Sequence, residues 1–392
     1  MPQPLRLGYN MKVLITTDLY TTQTNGVVTS VRNLYDELTK SGHDVRILTL
    51  SPNRRSRRIG NIYYIRSVSL ERIYPNIRMP ISYRHRLIRE LIQWKPDVIH
   101  SQCEFFTMQY AQRISKRTGA PIVHTYHTLY EQYFPYLLPI KKMSRFAVQT
   151  MSRMRLCKVQ RVIAPTVKVK SVLQDYGLKK PISIVPSGID LSQHKQRITP
   201  QERHAMRQAL GIDDDQLVLI NLGRLGTEKN LEELVAFFAE ARNTHFDLVF
   251  LIVGDGPARE QLEELRRELG LEADMIFTGM VDPKEVHKYY QLGDLFISAS
   301  TSETQGLTFI EASANGLPLL CREDPCLEGV LFPGINGYTY TSKDTFLSAL
   351  DTICSDPDWR LRAGMKSQEI AADFDKGQFG RSVEDIYTSM LA

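Results

Sequence analysis

The sequence predicts an α/β protein built from two domains, each a parallel β-sheet covered by helices. Three observations lead to this prediction. The chain has 392 residues, and hydrophobic cores seldom grow that large, so two domains are expected. Short apolar segments alternate with segments of helical periodicity, which is typical of βαβ units. This alternating series restarts near the middle of the chain, so a second unit of similar size follows the first.

The first domain is predicted over residues 1–190. Its first strand is KVLITTD, followed by a turn at QTNG and a helix over residues 26–40. Short runs rich in Val and Ile continue the series of strands, and most of them are separated by helical patterns. These runs are DVRILTL, DVIHS, PIVHTYH, RVIAP and ISIVPSG.

The second domain is predicted over residues 191–374. A polar, helix-prone stretch precedes four further strands, LVLINLG, FDLVFLIVG, DMIFTG and DLFISAS, with helices between them. Residues 375–392 have a helical pattern and are predicted to return to the first domain. Open α/β sheets bind ligands outside the carboxyl ends of their strands, so two such sheets are expected to share one cleft.

The composition is that of an ordinary soluble globular protein. Hydrophobic residues make up 42% of the chain and charged residues 24%. The sequence has no run of about 18 apolar residues, so no spanning helix is expected. The first ten residues lack the apolar stretch of a signal peptide and are interpreted as an extension. The five cysteines have no metal-ligand spacing, which favours reduced thiols in a cytoplasmic protein.

Charged residues and glycines follow the strands of the second domain where those strands end. NLGRLGTEKN places Arg224 and Lys229 after one strand, VGDGPARE places Gly254 after the next, and STSETQGLTFIEASANG follows a third. The carboxyl ends of parallel strands meet at one edge of a sheet, so these residues are expected to share a site. The planar Arg fork and the Lys point charge suit a diphosphate. The turn before the helix that begins at Leu307 adds backbone N–H groups.

Each of these features has a plainer explanation when it is taken alone. Exposed Arg and Lys are ordinary surface charges, and the glycines of GDG are common in turns that need a positive φ. Glu303 and Glu311 both lie in the third segment, and a carboxylate near a helix N-terminus is favourable by itself. The indication of a ligand site therefore comes from the whole set at corresponding strand ends.

The motifs GRLGTEKN, VGDGP and the Glu303–Glu311 pair followed by NGLP resemble the retaining glycosyltransferases of family 4. The first domain is similar to that family as well, through TTDLYTTQTNGVVTSVRNLYDELTKSGHDV, HTYHTLY and IVPSGID. The resemblance covers nearly the whole chain from Met11. It implies the GT-B fold, in which two Rossmann-like doubly wound domains face each other across a cleft.

The resemblance also implies a role for each matching residue. Glu311 corresponds to the glutamate that binds the ribose hydroxyls of the nucleotide, and Glu303 to the glutamate at the sugar end. Arg224 and Lys229 correspond to the pair that neutralises the leaving diphosphate. The remaining residues that the resemblance assigns to the donor are glycines and a helix start, namely Gly26, Gly254, Gly306 and Leu307.

His127 corresponds to the family's histidine beside the sugar. HTYHTLY also carries His124, so the sequence leaves open which of the two is a buried structural histidine. The implied reaction is transfer with retention, in which the acceptor hydroxyl attacks on the face from which the diphosphate leaves. DDD at residues 213–215 is interpreted as a solvated loop before a strand and not as the Asp-x-Asp motif of a metal-dependent enzyme. No metal or other cofactor is therefore expected.

The net charge of +5 conceals a large asymmetry between the two halves. Residues 1–200 carry 32 Lys and Arg against 11 Asp and Glu, whereas residues 201–392 carry 17 against 33. Three basic segments, NRRSRR, YRHRLIRELIQW and KKMSRFAVQTMSRMRLCKVQR, are interleaved with apolar residues such as Phe146 and Met154. This pattern favours docking on an anionic membrane surface. The alternatives are that the apolar faces are core, or that the charge binds an anionic soluble acceptor.

Within the family, the closest resemblance is to bacterial glycolipid synthases that glycosylate diacylglycerol. It rests on NGVVTSVRNL, DVIHSQCEF, HTYHTLYE, SETQGLTFIEA and DPCLEGV, including Gln305. It implies a UDP-sugar donor, a glucose transferred to 1,2-diacylglycerol, and a peripheral location at the inner face of the cell membrane. A polyprenyl-linked glycan, a polysaccharide or a phosphatidylinositol stays an alternative acceptor, and another hexose an alternative sugar.

Two other functional classes are disfavoured. Binding of nucleic acid through the basic half lacks a recognisable reading module. A nicotinamide enzyme is disfavoured because TQTNGVV lacks the G-x-G-x-x-G spacing after the first strand.

Overall fold

A computed structural model of the chain describes residues 10–20, 26–53, 55–70, 78–129, 141–245 and 247–392. The chain divides into two units, Met1–Gly188 together with Lys376–Ala392, and Ile189–Asp375. Each unit contains a mainly parallel sheet with helices packed on it, which confirms the predicted α/β class. The turn predicted at QTNG and most of the predicted N-terminal extension lie outside the described residues.

The described part of the first unit contains an eight-stranded sheet in the order β10-β9-β8-β7-β1-β2-β4-β3. All its pairs are parallel except β3 with β4, and β5 and β6 form a separate antiparallel pair. The strands are β1 (Lys12–Thr17), β2 (Asp44–Leu50), β3 (Arg57–Ile59), β4 (Ile62–Ile65), β5 (Ser67–Ser69), β6 (Arg78–Pro80), β7 (Val98–Ser101), β8 (Ile122–Thr125), β9 (Arg161–Ala164) and β10 (Ile182–Ile184).

The described residues of the first unit form two hydrophobic cores. Helix α3 (Phe106–Thr118) contributes to one core, and α1 (Gly26–Lys40) and the C-terminal helix α14 (Lys376–Leu391) contribute to the other. Tyr387 of α14 bonds through its hydroxyl group to His100 Nδ1 of β7, at 2.6 Å. The other helices of this unit are α2 (Arg86–Trp94), α4 (Lys141–Leu156) and α5 (Val167–Asp175).

The second unit contains six parallel strands among its described residues, in the order β13-β12-β11-β14-β15-β16. The chain proceeds outward from β11 in one direction and then returns to add β14 on its other side. This reversal makes the gap between β11 and β14 the topological switch point, where open α/β sheets bind ligands. The strands are β11 (Leu217–Leu222), β12 (Leu248–Val253), β13 (Met275–Gly279), β14 (Leu295–Ser298), β15 (Leu319–Arg322) and β16 (Gly337–Tyr340).

Local signals fix the ends of several helices in the second unit. The Thr199 hydroxyl group accepts the N–H of Glu202, and the Glu202 carboxylate accepts the N–H of Thr199, so a capping box starts α7. Asp356 caps the start of α13 by accepting the N–H of Trp359 at 2.7 Å. The helices are α6 (Leu191–His194), α7 (Pro200–Ala209), α8 (Leu231–Ala241), α9 (Arg259–Glu268), α10 (Val286–Tyr290), α11 (Leu307–Ala314), α12 (Lys343–Ser355) and α13 (Pro357–Ala371).

The structure contains strands that the sequence did not predict, namely β3 to β6, β15 and β16. They have only three or four residues each, and none of them lies in one of the apolar runs from which the other strands were predicted. In the part of the chain that is described, no helix is long and apolar enough to cross a membrane.

Candidate active site

The loops that follow β11 and β12 pack backbone against backbone at the carboxyl edge of the second unit's sheet. The Gly223 N–H donates to Val253 O at 2.9 Å, and the Gly254 N–H donates to Gly279 O at 3.1 Å. Gly254 has a φ of +134°, and a Cβ atom at this position would lie 2.0 Å from Gly223 O. Only glycine fits there, so Gly254 forms part of a backbone surface at the ends of the strands.

Lys229 and Glu303 meet across this edge of the sheet. Lys229 ends a short 3-10 turn, Thr227–Lys229, and its Nζ donates to Glu303 Oε1. The Ser300 hydroxyl group donates to the same carboxylate oxygen at 3.2 Å. The two side chains are 26% and 17% exposed, so both reach solvent. An ammonium group has three donors, so this lysine can bind an anion while it keeps one bond to Glu303.

Arg224 lies just after β11, and its side chain is 51% exposed. Its Nη2 donates to Oε1 of Glu228, which is nearly buried and precedes Lys229 in the 3-10 turn. Each of the two cations is thus held by a carboxylate. The sequence predicted both cations, but it did not indicate that Glu228 orients one of them.

Helix α11 begins at the same edge of the sheet. Gly306, the residue before it, has a φ of +72°, and a Cβ atom there would lie 2.4 Å from the Phe309 ring. Glycine therefore allows the chain to turn directly into the helix at Leu307. The first-turn N–H groups of α11 and its helix dipole favour a negatively charged or oxygen-rich ligand at this end.

Glu311 lies in the second turn of α11 and is half-buried. Its Oε2 accepts a hydrogen bond from the hydroxyl group of the buried Tyr290 at 3.0 Å. Burial raises the pKa of Glu311 to about 7, and the hydrogen bond from Tyr290 partly opposes this shift. The sequence indicated Glu311 but not Tyr290, because Tyr290 lies on α10 and its spacing resembles that of an ordinary core residue.

His127 lies just beyond the carboxyl end of β8 in the first unit and is half-buried. Its Nε2 is 2.6 Å from Gln102 Oε1, within hydrogen-bonding distance. Burial lowers the pKa of His127 to about 4, so the imidazole is neutral at pH 7. His124, by contrast, is fully buried within β8, with its Nε2 3.0 Å from Glu104 Oε1. The structure thus distinguishes the two histidines, and His124 is the buried one.

Asp18 follows β1 and organises the same edge of the first unit. Its carboxylate accepts the N–H groups of Phe106 and Thr107 at 3.1 and 2.7 Å, and the Thr107 hydroxyl group at 2.6 Å. It therefore caps the start of α3. Gly26 is the exposed first residue of α1 in this unit. The sequence predicted Gly26 but gave no sign of Asp18.

The structure brings Lys229 into contact with Glu303. Arg224 and Gly254 follow the carboxyl ends of strands in the second unit, and the start of α11 carries Gly306, Leu307 and Glu311. Gly26 and His127 belong to the first unit. Residues 213–215 are exposed, as expected of a solvated loop. Among the residues that the structure describes, no group of three or more His, Cys, Asp or Glu side chains is arranged to hold a metal ion.

Comparisons with known proteins match both units. Residues 24–193 match Glycosyltransferase Family 4, and residues 202–370 match Glycosyl transferases group 1. The chain is 32% identical to the alpha-monoglucosyldiacylglycerol synthase of Streptococcus pneumoniae, over 97% of this chain and 86% of that protein. It is 29% identical to the synthase of the same name from Acholeplasma laidlawii, over 97% and 98% of the two chains.

Among solved structures, Anabaena HepE in complex with UDP-glucose has a similar fold. Its TM-score is 0.74 at 15% sequence identity, over 97% of this chain and 100% of that chain. A likeness at this identity supports the predicted two-domain fold rather than a particular substrate.

Proposed function

Because the chain belongs to glycosyltransferase family 4, we propose that it transfers glucose from UDP-glucose to 1,2-diacylglycerol with retention, giving an α-glucosyl-diacylglycerol. The observation that carries this proposal is the similarity, over nearly the whole chain, to two alpha-monoglucosyldiacylglycerol synthases. The arrangement at the β11–β14 switch point is compatible with the proposed donor, since cations, a helix N-terminus and a carboxylate suit a diphosphate, a sugar and a ribose.

In the proposed donor complex, Glu311 accepts hydrogen bonds from the two ribose hydroxyl groups. Glu303 and the backbone N–H groups at Gly306 and Leu307 contact the sugar hydroxyls. Arg224 and Lys229 bind the diphosphate. The backbone of Gly254 lines the phosphate path in the second unit, where a side chain would obstruct the ligand. The family resemblance assigns Gly26 of the first unit to the phosphate as well.

Catalysis depends on the charge that develops on the leaving diphosphate. As the bond from the sugar C1 to the phosphate oxygen breaks, negative charge grows on that oxygen, and Arg224 and Lys229 stabilise it. The acceptor hydroxyl attacks C1 on the same face, so it lies next to the departing phosphate oxygen and can pass its proton there. The family resemblance assigns His127 to the sugar, and because its imidazole is neutral at pH 7, such a contact is polar and adds no charge.

These two cations supply the positive charge that a metal ion provides in other glycosyl transfers, so we propose that the reaction needs no metal. Turnover of UDP-glucose should be the same with EDTA as without it. A loss that is restored by Mg²⁺ or Mn²⁺ would contradict this proposal.

The proposed acceptor is a membrane lipid, and one surface of the first unit suits an anionic leaflet. A cavity of 460 Å³ is lined, among the described residues, by two cations, a histidine and uncharged side chains, namely Arg55, Arg66, His85, Ser56, Ser82, Ile65 and Ile81. The Leu87 N–H donates to His85 Nδ1, so His85 Nε2 is a donor. The lining residues include no carboxylate, which favours a phosphate group as the occupant.

Ile81, which lines this cavity, is exposed, and so are two apolar residues that lie close to the lining residues in the sequence. Ile59, Met79 and Ile81 are 52%, 41% and 49% exposed. Cationic and apolar side chains together are typical of a surface that docks at the membrane interface. On α4, Met154 and Arg153 are exposed as well, whereas the side chain of Phe146 and the aromatic stretch at residues 130–140 lie outside the described residues.

Membrane docking is tested with the double variant Arg55→Gln/Arg66→Gln. It should sediment less than the parent with vesicles of phosphatidylglycerol and diacylglycerol. The matched control is Lys116→Gln/Arg117→Gln, which removes the same charge from two exposed residues in the last turn of α3. If the two variants lose vesicle binding equally, the total charge of the protein, and not this cavity, determines docking.

The reaction itself is tested with a panel of UDP-sugars, with and without vesicles that contain diacylglycerol. We expect UDP-glucose to be consumed only with those vesicles, and the product to have an α-linked glucose by NMR. If UDP is released slowly, and at a rate that diacylglycerol does not change, the proposal that diacylglycerol is the acceptor would be contradicted. A polyprenyl-linked glycan, a polysaccharide or phosphatidylinositol would then be tested as the acceptor in the same assay.

A further inference from the structure

A partly buried polar cluster joins three strands of the second unit to the start of α8. Glu233 lies in the first turn of α8, and Arg322 Nη1 donates to its two carboxylate oxygens at 2.7 and 2.6 Å. The Tyr340 hydroxyl group donates to Glu233 Oε1 at 3.1 Å and lies 3.4 Å from Ser298 O. Arg322, Tyr340 and Ser298 are the last residues of β15, β16 and β14. The cluster therefore lies at the edge of the sheet that carries the donor residues.

Glu233 is also connected to Lys229 through one residue. Asn230, between Lys229 and α8, has a φ of +54°, which is uncommon for a residue other than glycine. Its side-chain Nδ2 donates to Glu233 Oε2 at 3.0 Å. This bond stabilises the left-handed turn at which the 3-10 turn ends and α8 begins. The direction in which Lys229 leaves the backbone depends on this turn.

The Glu233 carboxylate is held in one place by three donors, which belong to Arg322, Tyr340 and Asn230. The side chains of Glu233 and Arg322 are 18% and 31% exposed, and Tyr340 is 1% exposed. Burial, with Glu233 beside it, raises the pKa of Tyr340, so its hydroxyl group stays a donor. A carboxylate that Arg322 and Tyr340 already hold has little freedom to rotate. The Asn230 side chain, which donates to the same carboxylate, is therefore restrained as well.

The opposite end of α8 carries an ion pair of the same kind. Arg242, the residue after α8, donates from Nη2 to Asp274 Oδ1 at 2.8 Å, and both side chains are 19% exposed. Asp274 lies just before β13, at the amino end of the sheet and therefore away from the donor edge. Each pair fastens one end of the same helix to the sheet, but only the Glu233–Arg322 pair adjoins Lys229.

We propose that Glu233, held by Arg322 and Tyr340, is a positioning residue that directs Lys229 toward the diphosphate of the donor. The proposal rests on the donor role of Lys229 given above. Arg322 and Tyr340 act through Glu233 and Asn230, without contact with the substrate.

The test compares Arg322→Met with Arg242→Met in the full chain. Both variants remove one cation from a partly buried pair at an end of α8, so a purely structural role predicts similar falls in Tm and similar kcat values. Positioning predicts that only Arg322→Met lowers kcat for UDP-glucose, by about tenfold to a hundredfold, as for other small displacements of a catalytic group. The proposal is overturned if the kcat values of the two variants agree within about twofold.

Tyr340→Phe is the second variant, in case Arg322→Met does not fold. It removes one hydrogen bond to Glu233 and leaves the net charge and the packed ring unchanged. We expect a smaller fall in kcat, with the KM for the acceptor unchanged. A parental kcat would count against the proposal.

A double-mutant cycle separates this proposal from the proposed function. If Arg322 acts only through Lys229, Lys229→Ala/Arg322→Met loses no more activity than Lys229→Ala alone. Fully additive losses would overturn the positioning role and leave the donor role of Lys229 intact. An active Lys229→Ala variant would instead overturn that donor role, and the positioning role with it.

Discussion

Lowering the pH from 8 to 6 should weaken the binding of UDP-glucose, because Glu311 then loses its negative charge. Its carboxylate is proposed to accept two ribose hydroxyls, and a protonated carboxyl group accepts them less well. Burial raises the pKa of Glu311 to about 7, compared with 4.5 for an ordinary glutamate. The titration of Glu311 therefore falls between pH 6 and pH 8.

The size of the effect follows from the fraction of ionised carboxylate. With a pKa of about 7, about 90% of the Glu311 side chains are ionised at pH 8 and about 10% at pH 6. If only the ionised form binds, the apparent Kd rises about tenfold between these pH values, which corresponds to about 1.4 kcal/mol. Bound donor favours the ionised form in turn, so binding should release protons at pH 7.

Calorimetry with UDP-glucose measures this effect directly. UDP-glucose is preferable to UDP, because its diphosphate is a diester and has no terminal phosphate that titrates in this range. Burial lowers the pKa of His127, and of His194 at the end of α6, to about 4. Neither histidine should therefore contribute to the pH dependence of binding above pH 6. The control is Glu311→Gln, which should bind weakly at every pH.

Tyr290→Phe tests the cause of the titration more closely. The hydroxyl group of Tyr290 lowers the pKa of Glu311, so its removal should move the midpoint of the binding curve to higher pH. The reasoning is refuted if the affinity of the parent is independent of pH, or if Glu311→Gln keeps the same pH dependence.

Three further predictions concern other parts of the two units. Lys229→Ala should lower kcat by about a hundredfold or more, while Tm changes little because a partly exposed ion pair contributes at most about 1 kcal/mol; a large fall in Tm would indicate a structural lysine. Gly254→Ala should lower the free energy of unfolding by at least about 2 kcal/mol, measured in urea, because its Cβ would clash with Gly223 O; parental stability would contradict the close packing of the loops. Gln102→Glu should raise the pKa of His127, measured by NMR, because a carboxylate favours the imidazolium; an unchanged pKa would mean that the contact at 2.6 Å is not maintained in solution.

The sequence predicted the central strands of both sheets well, because their Val- and Ile-rich runs are long enough to be distinct. β11 and β12 have six residues each and lie within the predicted runs. The family predicted from GRLGTEKN, VGDGP and the two glutamates is confirmed by the comparisons. β15 and β16 were missed because their sequences, LLCR and GYTY, are not part of a long Val- and Ile-rich run.

The candidate site was predicted only in part, for a reason that lies in the chain's topology. Residues that follow strand ends, such as Lys229 and Glu303, can be assigned from the sequence because the sheet edge brings them together. Glu233, Arg322 and Tyr340 span 107 positions and have the residue types of a surface ion pair and a core tyrosine. Nothing in their local sequence indicates that they meet. Side-chain contacts of this kind follow from the packing of several elements at once.

The C-terminal helix also determines when the first unit can become complete. α14 supplies Phe379, Val383, Ile386 and Tyr387 to a core that otherwise belongs to the N-terminal part of the chain. During synthesis, the whole of Ile189–Asp375 leaves the ribosome before this helix does. The second unit is continuous in sequence and can therefore fold first, while one apolar face of the earlier residues stays uncovered. A ribosome that stalls before α14 would release a chain whose second unit is whole but whose first unit exposes an aggregation-prone face.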